Sequence, residues 1–259
     1  MPSGNKSKLI NDPLHGFVTL PSALVYDVVQ HPYFQRLRRI RQLGMSEWVY
    51  PGATHTRFHH ALGAMNLMVK ALDTLRGKGV EITEEEKEAA ILGILMHDIG
   101  HGPYSHTLEY TLAQGVNHED ISIMLMERMN IEFGGALRLA IDIFRGDYHK
   151  KPFLHQLISG ELDMDRLDYL MRDSFYTGVS EGIVGVDRLI HMLNVKDGDL
   201  VVEEKGIYSV EKFLVARRLM YWQVYLHKTV LAADALLVSI LQRAREMAKE
   251  GHALGSYHP

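Results

Sequence analysis

The chain has 259 residues, of which 46% are hydrophobic and 23% charged, and its formal net charge is -4 with histidine counted as neutral. This composition is typical of a globular enzyme, and the slightly acidic balance argues against strong nucleic-acid binding. Cysteine is absent, which excludes disulfides and thiolate metal sites and favours a cytoplasmic location. The sequence shows neither a signal peptide nor an apolar stretch of about 18 residues, so we expect no membrane contact.

Helical spacing of apolar residues recurs along most of the chain. It predicts helices over residues 22–43 with an interruption at Pro32, and over 56–76, 84–98, 105–113, 118–130, 136–145, 152–160, 163–173 and 210–249. Thr83 followed by Glu86 is a capping-box signature for the third of these segments. Residues 9–20 predict an extended lead-in, and the segment 199–210 predicts a short β-hairpin. We therefore expect an all-α fold with one small hairpin, organised as a single domain over residues 1–259.

Histidines concentrate in one part of the chain, because seven of the fifteen lie within residues 55–118. In a protein without cysteine, such a tract favours metal or acid–base chemistry. The adjacent pair His97 and Asp98 ends an apolar helix beside a glycine-rich turn, where side chains can converge. Neighbouring helix residues point in directions about 100° apart, so other segments must complete a metal site. His60 and Asp165 are the best candidates, although a lone histidine is more often a core or surface residue.

Several sequence blocks occur in an order that is typical of one enzyme family. They are NDPLHGFVTLP, HPYFQRLRRIRQLG, YPGATHTRFHHALG, MHDIGHGPYSHTLE, NHEDIS and DMDRLDYLMRDSFYTGV. Over residues 8–230 the chain resembles the HD-domain deoxynucleoside triphosphate (dNTP) triphosphohydrolases, above all the subgroup that also carries a sterile alpha motif. The resemblance implies a mainly helical HD-domain fold. It also implies hydrolysis of a dNTP to a deoxynucleoside and inorganic triphosphate.

The resemblance implies one bound divalent metal and a group of acid–base residues. The implied metal ligands are His60, His97, Asp98 and Asp165. Nitrogen and oxygen ligands of this kind leave the choice among Mn, Fe, Mg, Co, Ni and Zn open. The implied catalytic residues are His101, His106, His118 and Glu109. Among these, His106 would protonate the leaving 5′ oxygen beside Glu109, which stands where the family usually has aspartate.

Two nucleotide-binding sets are also implied by the resemblance. The substrate set consists of the phosphate contacts Arg57, Arg166 and Arg217 and the sugar contacts Gln42, Leu43, Tyr169, Asp173 and Tyr225. The activator set, at subunit interfaces of a homo-oligomer (dimer or tetramer), consists of Lys8, Asn11, Gln35, Arg38, Arg188 and Lys205. Gln30 and Glu203 depart from the family pattern, which argues against a guanine-specific activator. The C-terminal lobe of longer relatives is expected to be absent or truncated.

Two other functions stay open at this point. One is a different HD phosphohydrolase, such as a nucleotidase or a cyclic-nucleotide phosphodiesterase. The sugar-contact set argues against this function. The other is a nucleotide-binding sensor, or a nucleic-acid-binding protein, that has lost catalysis. The complete set of metal ligands and the acidic balance argue against that one.

Overall fold

The computed structural model describes residues 8–104 and 117–251, and all structural statements refer to these two ranges. The chain is mainly helical, as the sequence predicts. Its α-helices are α1 (Ala23–Gln30), α2 (Pro32–Gln35), α3 (Arg57–Gly77), α4 (Glu84–Met96), α5 (His118–Glu132), α6 (Arg138–Arg145), α7 (Pro152–Gln156), α8 (Met164–Thr177), α9 (Val186–Met192), α10 (Ile207–Met220) and α11 (Lys228–Lys249). Two antiparallel hairpins accompany them, formed by β1 (Leu9–Asp12) with β2 (Gly16–Thr19) and by β3 (Leu193–Lys196) with β4 (Asp199–Val202).

Helix α3 lies at the centre of the fold. It packs against both α4 and α8, and α4 in turn packs against α6. Buried residues occur around most of the circumference of α3, and every residue of α4 from Ala89 to Met96 is buried. A helix that is apolar on all sides belongs inside a core rather than at its surface. The central position of α3 and α4 brings their ends, and the start of α8, into the interior where the candidate site lies.

The start of α4 is fixed by the predicted capping box. The Thr83 hydroxyl accepts a hydrogen bond from the Glu86 backbone N–H (3.1 Å), and the Glu86 carboxylate accepts one from the Thr83 N–H (2.8 Å). The same carboxylate accepts hydrogen bonds from the Tyr148 hydroxyl and the Lys151 ammonium, both at 2.6 Å. Burial alone would raise the pKa of Glu86, but these donors outweigh burial and lower it to about 2. Glu86 therefore joins the helix start to the loop before α7.

The predicted long helix over residues 210–249 is wrong in one respect, because the structure divides it. Helix α10 ends at Met220, a π-helical turn covers Tyr221–Tyr225, and α11 starts at Lys228. His227 adopts an extended conformation (ψ 125°), and its ring accepts a hydrogen bond from the Thr229 N–H. His227 thus acts as a new N-cap, which ends one helix and starts another. No single described helix is long and apolar enough to cross a membrane, although the bent pair Glu204–Tyr225 and Lys228–Lys249 has those properties when taken together.

Two further boundaries differ from the sequence-based prediction. The C-terminal hairpin covers residues 193–202 rather than 199–210, because Asp197 and Gly198 have the positive φ angles (55° and 90°) that a tight hairpin turn needs. Helix α8 continues past residue 173 to Thr177 and ends at Gly178, which has a φ of 74°. The helix predicted over residues 105–113 lies outside the described residues.

The substitution Glu86→Gln tests the role of this carboxylate in joining α4 to α7. It should lower the free energy of unfolding at pH 7 by roughly 1–3 kcal/mol, because a hydrogen-bonded charge beside Lys151 is lost. Folding lowers the pKa of Glu86 from 4.5 to about 2. Its contribution is therefore complete above pH 4.5 and disappears as the pH falls through about 2. Denaturant unfolding of both proteins from pH 7 to pH 2 measures this loss.

Glu85→Gln, at an exposed neighbouring position, is the matched control and should leave stability nearly unchanged. A stability difference between wild type and Glu86→Gln that stayed constant down to pH 2 would contradict the ionic explanation.

Candidate metal centre and active-site cavity

Three helix ends bring the predicted metal ligands together. His60 lies in the first turn of α3, His97 directly follows α4, and Asp165 lies in the first turn of α8. The His60 Nε2 atom is 2.9 Å from Asp165 Oδ1 and 3.3 Å from His97 Nε2. His97 Nε2 is 3.5 Å from the same Asp165 oxygen. These three residues offer ligand atoms that all lie within 4.8 Å of one another, as one metal ion requires.

Asp98 stands at the edge of this group. Its Oδ1 is 3.3 Å from His97 Nε2, whereas its Oδ2 is 3.9 Å from His60 Nε2. Oδ2 accepts a hydrogen bond from the Arg57 guanidinium at 2.6 Å, so an arginine already neutralises much of the carboxylate charge. Three of the predicted ligands thus form a compact set, whereas the carboxylate of the fourth, Asp98, is hydrogen-bonded to Arg57.

The hydrogen bonds behind the two imidazoles decide which nitrogen faces the centre. His97 Nδ1 is 2.6 Å from the carbonyl oxygen of Ile94, which can only accept, so this nitrogen carries the proton. His60 Nδ1 is 2.8 Å from Asp168 Oδ2, a carboxylate oxygen that likewise accepts. In their neutral forms both rings therefore direct an Nε2 lone pair into the same small space. Two lone pairs at 3.3 Å repel each other unless a proton or a cation lies between them.

The charges around the centre favour a cation. Burial would lower the pKa of His60, but hydrogen bonds to Asp165 and Asp168 outweigh it and raise this pKa to about 10. Burial is likewise outweighed at His97, where Asp98 and Asp165 raise the pKa. Against their own burial, the carboxyl groups of Asp165 and Asp98 have pKa values below the usual range, chiefly because of His97. Two imidazole nitrogens and a carboxylate oxygen in such surroundings suit a divalent metal.

A cavity of about 420 Å³ opens beside the ligands. This volume is within the range of about 300–1,000 Å³ that is usual for small-molecule sites. Its wall contains ten predicted site residues: Gln42, Leu43, Arg57, Asp98, His101, His118, Asp165, Tyr169, Asp173 and Tyr225. Residues near the ends of α3, α4 and α8 thus line the same cavity as the predicted sugar contacts.

The two predicted catalytic histidines in the described residues pack together on the cavity wall. The rings of His101 and His118 stack with their centroids 3.9 Å apart. His101 Nε2 is also 3.2 Å from Asp98 Oδ1. Burial lowers the pKa of His101 to about 4, in spite of the opposing effect of Asp98. His101 is therefore neutral at pH 7 and can orient a ligand by hydrogen bonding rather than by charge. His106 and Glu109 lie outside the described residues.

On the other side of the cavity, Asp173 is held by two donors. His55 Nε2 lies 2.7 Å from Asp173 Oδ1, and the Tyr225 hydroxyl donates to Oδ2 at 2.8 Å. The His55 ring also stacks on Tyr176, with centroids 4.5 Å apart. Within the described residues, the Gln42 side-chain oxygen on the same wall is buried without a hydrogen-bond partner. A buried acceptor without a hydrogen-bond partner is unfavourable, and a hydroxyl group of a ligand could donate to it.

Two of the three predicted phosphate contacts are not on the cavity wall. Arg166 points to a separate depression with Leu193 and Leu200, and its guanidinium lies 3.3 Å from Asp163, the N-cap of α8. Arg217 lies with its guanidinium carbon 5.8 Å from the ring centroid of Tyr221. Arg57 is the predicted phosphate contact that the structure places in the cavity. The roles of Arg166 and Arg217 stay predictions.

The predicted activator residues fall into two groups. In the first group, Lys8 lies over the Tyr26 ring at 3.6 Å, Arg38 donates to the Gln35 side chain at 2.8 Å, and Asn11 pairs with Phe17 in the first hairpin. Gln30, which departs from the family, ends α1.

In the second group, Arg188 donates to the Lys205 carbonyl at 3.1 Å. Glu203, the other departure from the family pattern, accepts from Lys78 at 2.6 Å and lies 3.0 Å from Lys205. Nucleotide activation at these positions stays a prediction.

The sequence-based prediction missed the residues behind the ligands. Asp168 is hydrogen-bonded to His60. It also accepts a hydrogen bond from His15 at 2.6 Å and forms an ion pair with Arg172 at 2.8 Å. Against the effect of burial, Arg172 and the hydrogen bond from His15 hold the pKa of Asp168 well below its usual range. The sequence contained a signal for this contact. Asp168 follows Asp165 by three residues and precedes Arg172 by four, a spacing that places the three side chains on adjacent turns of one helix face.

Two protein-family models match this chain. Residues 57–173 match the HD domain and residues 184–254 match the HD associated region. The chain is 35% identical to the uncharacterized protein YwfO of Bacillus subtilis, covering 97% of this chain and 59% of that protein. It is 28% identical to deoxynucleoside triphosphate triphosphohydrolase SAMHD1 of Homo sapiens, covering 92% of this chain and 44% of that protein. The chain thus spans about half the length of these relatives.

A crystal structure of a phosphohydrolase from Bacteroides thetaiotaomicron has the same fold. It superimposes with a TM-score of 0.95 at 60% sequence identity, covering 97% of this chain and 62% of that one. At this level of similarity the helices that carry the site, α3, α4 and α8, belong to a shared framework.

Metal content of the purified protein tests the candidate centre. The wild-type protein should retain a divalent ion through dialysis, whereas His60→Gln and Asp165→Asn should lose it, because each removes a ligand atom from the group of three. Elemental analysis of the three proteins measures this difference. Asp187→Asn, which changes an exposed aspartate paired with Lys70 on α3, should keep the ion. Equal metal content in all four proteins would show that the metal is bound elsewhere.

Proposed function

The chain belongs to the HD-domain family, and on that premise we propose that it is a metal-dependent hydrolase that converts dNTPs to deoxynucleosides and inorganic triphosphate. One observation carries most of the proposal: the ligand atoms of His60, His97 and Asp165 converge on one point, and Asp165 also lines a cavity of nucleotide size. Phosphohydrolase chemistry in general is supported by the HD domain match and the Bacteroides neighbour. The choice of dNTPs is supported by the human relative and by the sugar-side wall of the cavity.

The metal would be held by His60, His97 and Asp165, with Asp98 at the edge of its coordination sphere. A bound divalent ion supplies charge that stabilises a reacting phosphoryl group and can lower the pKa of water. Arg57 would add positive charge at the same wall, since its guanidinium has further N–H groups beyond the one that binds Asp98. In the overall reaction a water oxygen bonds to the α-phosphorus, the bond from phosphorus to O5′ breaks, and O5′ receives a proton.

Proton delivery to O5′ is the step for which the family resemblance implies His106. A general acid at this position would contribute about 10²- to 10⁴-fold to the rate, because a deoxyribose alkoxide is a poor leaving group. His101 is suited to a different task. With its pKa lowered to about 4, it would hold a phosphate oxygen or a water molecule by hydrogen bonding in its neutral form.

The opposite wall would bind the sugar. Asp173 and Gln42 are acceptors for a hydroxyl group, and the Asp173 carboxylate is kept in place by His55 and Tyr225. The Tyr225 ring packs edge-on against Tyr169, with centroids 6.1 Å apart, and this pair narrows the space beside the sugar. Such a wall would favour a 2′-deoxyribose over a ribose. None of the predicted substrate contacts is assigned to a base edge, so we expect several dNTPs to be substrates.

Product analysis tests the proposal directly. Purified protein with Mn²⁺ should release triphosphate and a deoxynucleoside from dNTPs, which anion-exchange chromatography separates from phosphate and pyrophosphate. His97→Ala and Asp165→Ala should lower turnover by at least about 10³-fold, because each removes a ligand needed to stabilise the reacting phosphoryl group. Asp187→Ala serves as the surface control and should keep full activity. Release of phosphate from nucleoside monophosphates, or cleavage of cyclic nucleotides, without triphosphate formation would instead identify a different HD phosphohydrolase.

Tyr225→Phe tests the sugar-side wall. Loss of the hydroxyl group that holds Asp173 should raise KM for dNTPs by roughly 2- to 13-fold, which corresponds to one hydrogen bond of about 0.5–1.5 kcal/mol. Steady-state kinetics with a dNTP and the matching ribonucleotide measure KM and kcat separately. Tyr208→Phe, which changes a tyrosine that is 80% exposed, is the control. An unchanged KM would mean that the Asp173 side of the cavity does not bind the sugar.

A further inference from the structure

We propose that the β1–β2 hairpin is a part of the metal centre, because the residues of its turn fix the carboxylate that orients the ligand His60. The inference rests on the metal site of the proposed function and extends it to Asp12 and His15, which lie 48 and 45 residues before His60 in the chain. It assigns to this hairpin a role in metal affinity.

Asp168 is fully buried and contacts both α3 and the hairpin. Its Oδ2 accepts hydrogen bonds from His60 Nδ1 and Arg172 Nε, both at 2.8 Å. Its Oδ1 accepts hydrogen bonds from His15 Nε2 at 2.6 Å and from Arg172 Nη2 at 3.0 Å. A carboxylate has about four acceptor positions, so all of them are occupied. The orientation of Asp168, and through it that of the His60 ring, is therefore determined by Arg172 and His15 together.

The hairpin turn positions both of these donors. The Asp12 carboxylate accepts from Arg172 Nη1 at 2.9 Å through one oxygen. Its other oxygen accepts from the backbone N–H groups of Leu14 and His15, both at 2.9 Å, which closes the turn before the His15 side chain. Asp12 is 4% exposed and the His15 side chain 4%, although the hairpin also carries Phe17, which is 73% exposed. The turn of the hairpin thus reaches this cluster through polar contacts, while Val18 of β2 is buried in the hydrophobic core.

Helix α3 is shaped to receive the cluster. Gly63 lies three residues after His60, on the same side of α3, and a Cβ atom at this position would overlap the Asp168 carboxylate and the Arg172 guanidinium. The space that a side chain would fill is thus occupied by the charged groups themselves. A glycine here in a buried helix costs stability relative to alanine, which is consistent with a requirement for this space.

The function of such a cluster follows from the chemistry of metal-bound histidine. A carboxylate behind the imidazole fixes the tautomer and ring orientation and makes the ligand more basic, and loss of such a partner typically weakens metal affinity by 10- to 100-fold. His15 does not touch the reacting groups. It is a positioning residue that acts on His60 through Asp168.

The test measures Mn²⁺ affinity of the folded full chain by competition with a chelating dye, for the wild type, His15→Ala and His15→Gln. His15→Ala should bind Mn²⁺ roughly 10- to 100-fold more weakly, while its far-ultraviolet circular dichroism stays that of the wild type. His15→Gln retains a donor that can reach Asp168, so it should recover part of the affinity. His149→Ala, which changes an exposed histidine in the loop before α7, is the matched control and should bind Mn²⁺ as the wild type does.

Gly63→Ala is the second variant, because it disturbs the same carboxylate from α3 and should weaken Mn²⁺ binding in the same direction. Wild-type Mn²⁺ affinity in folded His15→Ala and Gly63→Ala would overturn the inference without affecting the proposed function. Conversely, a wild-type protein that binds Mn²⁺ but hydrolyses no dNTP would overturn the proposed function. In that case weaker binding by His15→Ala would still support the role of the hairpin.

Discussion

The site depends on one electrostatic conflict: when His60 and His97 are both neutral, their buried Nε2 atoms direct lone pairs at each other across 3.3 Å. Each orientation is enforced from behind, by the Ile94 carbonyl for His97 and by Asp168 for His60. Water cannot relieve the conflict for His60, which is fully buried. A proton on His60 relieves it when no metal is bound, in line with the raised pKa of this residue, about 10. A divalent cation would relieve it too, since it accepts both lone pairs and the Asp165 oxygen together. A metal site therefore accounts for the way in which three helices place these side chains at one point.

The orientation of His60 is maintained by buried charged residues, whose burial has a free-energy cost. Asp168, Arg172 and Asp12 are nearly or fully buried, and isolated buried charges are costly unless every one of them is paired. The cluster satisfies that condition through a bidentate arginine and closed hydrogen bonds, at distances of 2.6–3.0 Å. A buried ionic cluster of this kind contributes little to net stability but fixes geometry. This agrees with a role for the cluster in orienting His60 rather than in raising the free energy of unfolding.

Much of the site could be predicted from sequence, for identifiable physical reasons. The capping box at Thr83 and the apolar run before His97 depend on neighbouring residues, so their structure follows from local rules. The buried cluster could not be predicted in this way, because Asp168 and Arg172 read as a solvated helix pair at a spacing of four residues. The surface on which Arg166 lies could not be predicted from its neighbours either. Arg166 follows Asp165 directly, yet adjacent helix residues point about 100° apart, and its side chain lies on a different surface.

The division of the C-terminal helix into α10 and α11 could not be predicted from sequence for another reason. The residues Tyr221–Tyr225 continue the apolar spacing of a helix, and the change to a π-helical turn depends on packing that spacing does not reveal. One consequence is functional, because the turn places Tyr221 and Tyr225 on the cavity wall. The family resemblance thus named residues of both walls, whereas the backbone that brings Tyr225 to the cavity depends on tertiary structure.

The most direct test of the central claim is a crystal structure of the Mn²⁺-loaded protein with anomalous diffraction to locate the ion. The expected result is one strong anomalous peak at bonding distance from the Nε2 atoms of His60 and His97 and from an Asp165 oxygen. A protein loaded with Mn²⁺ whose anomalous peak lay away from these three atoms would contradict it.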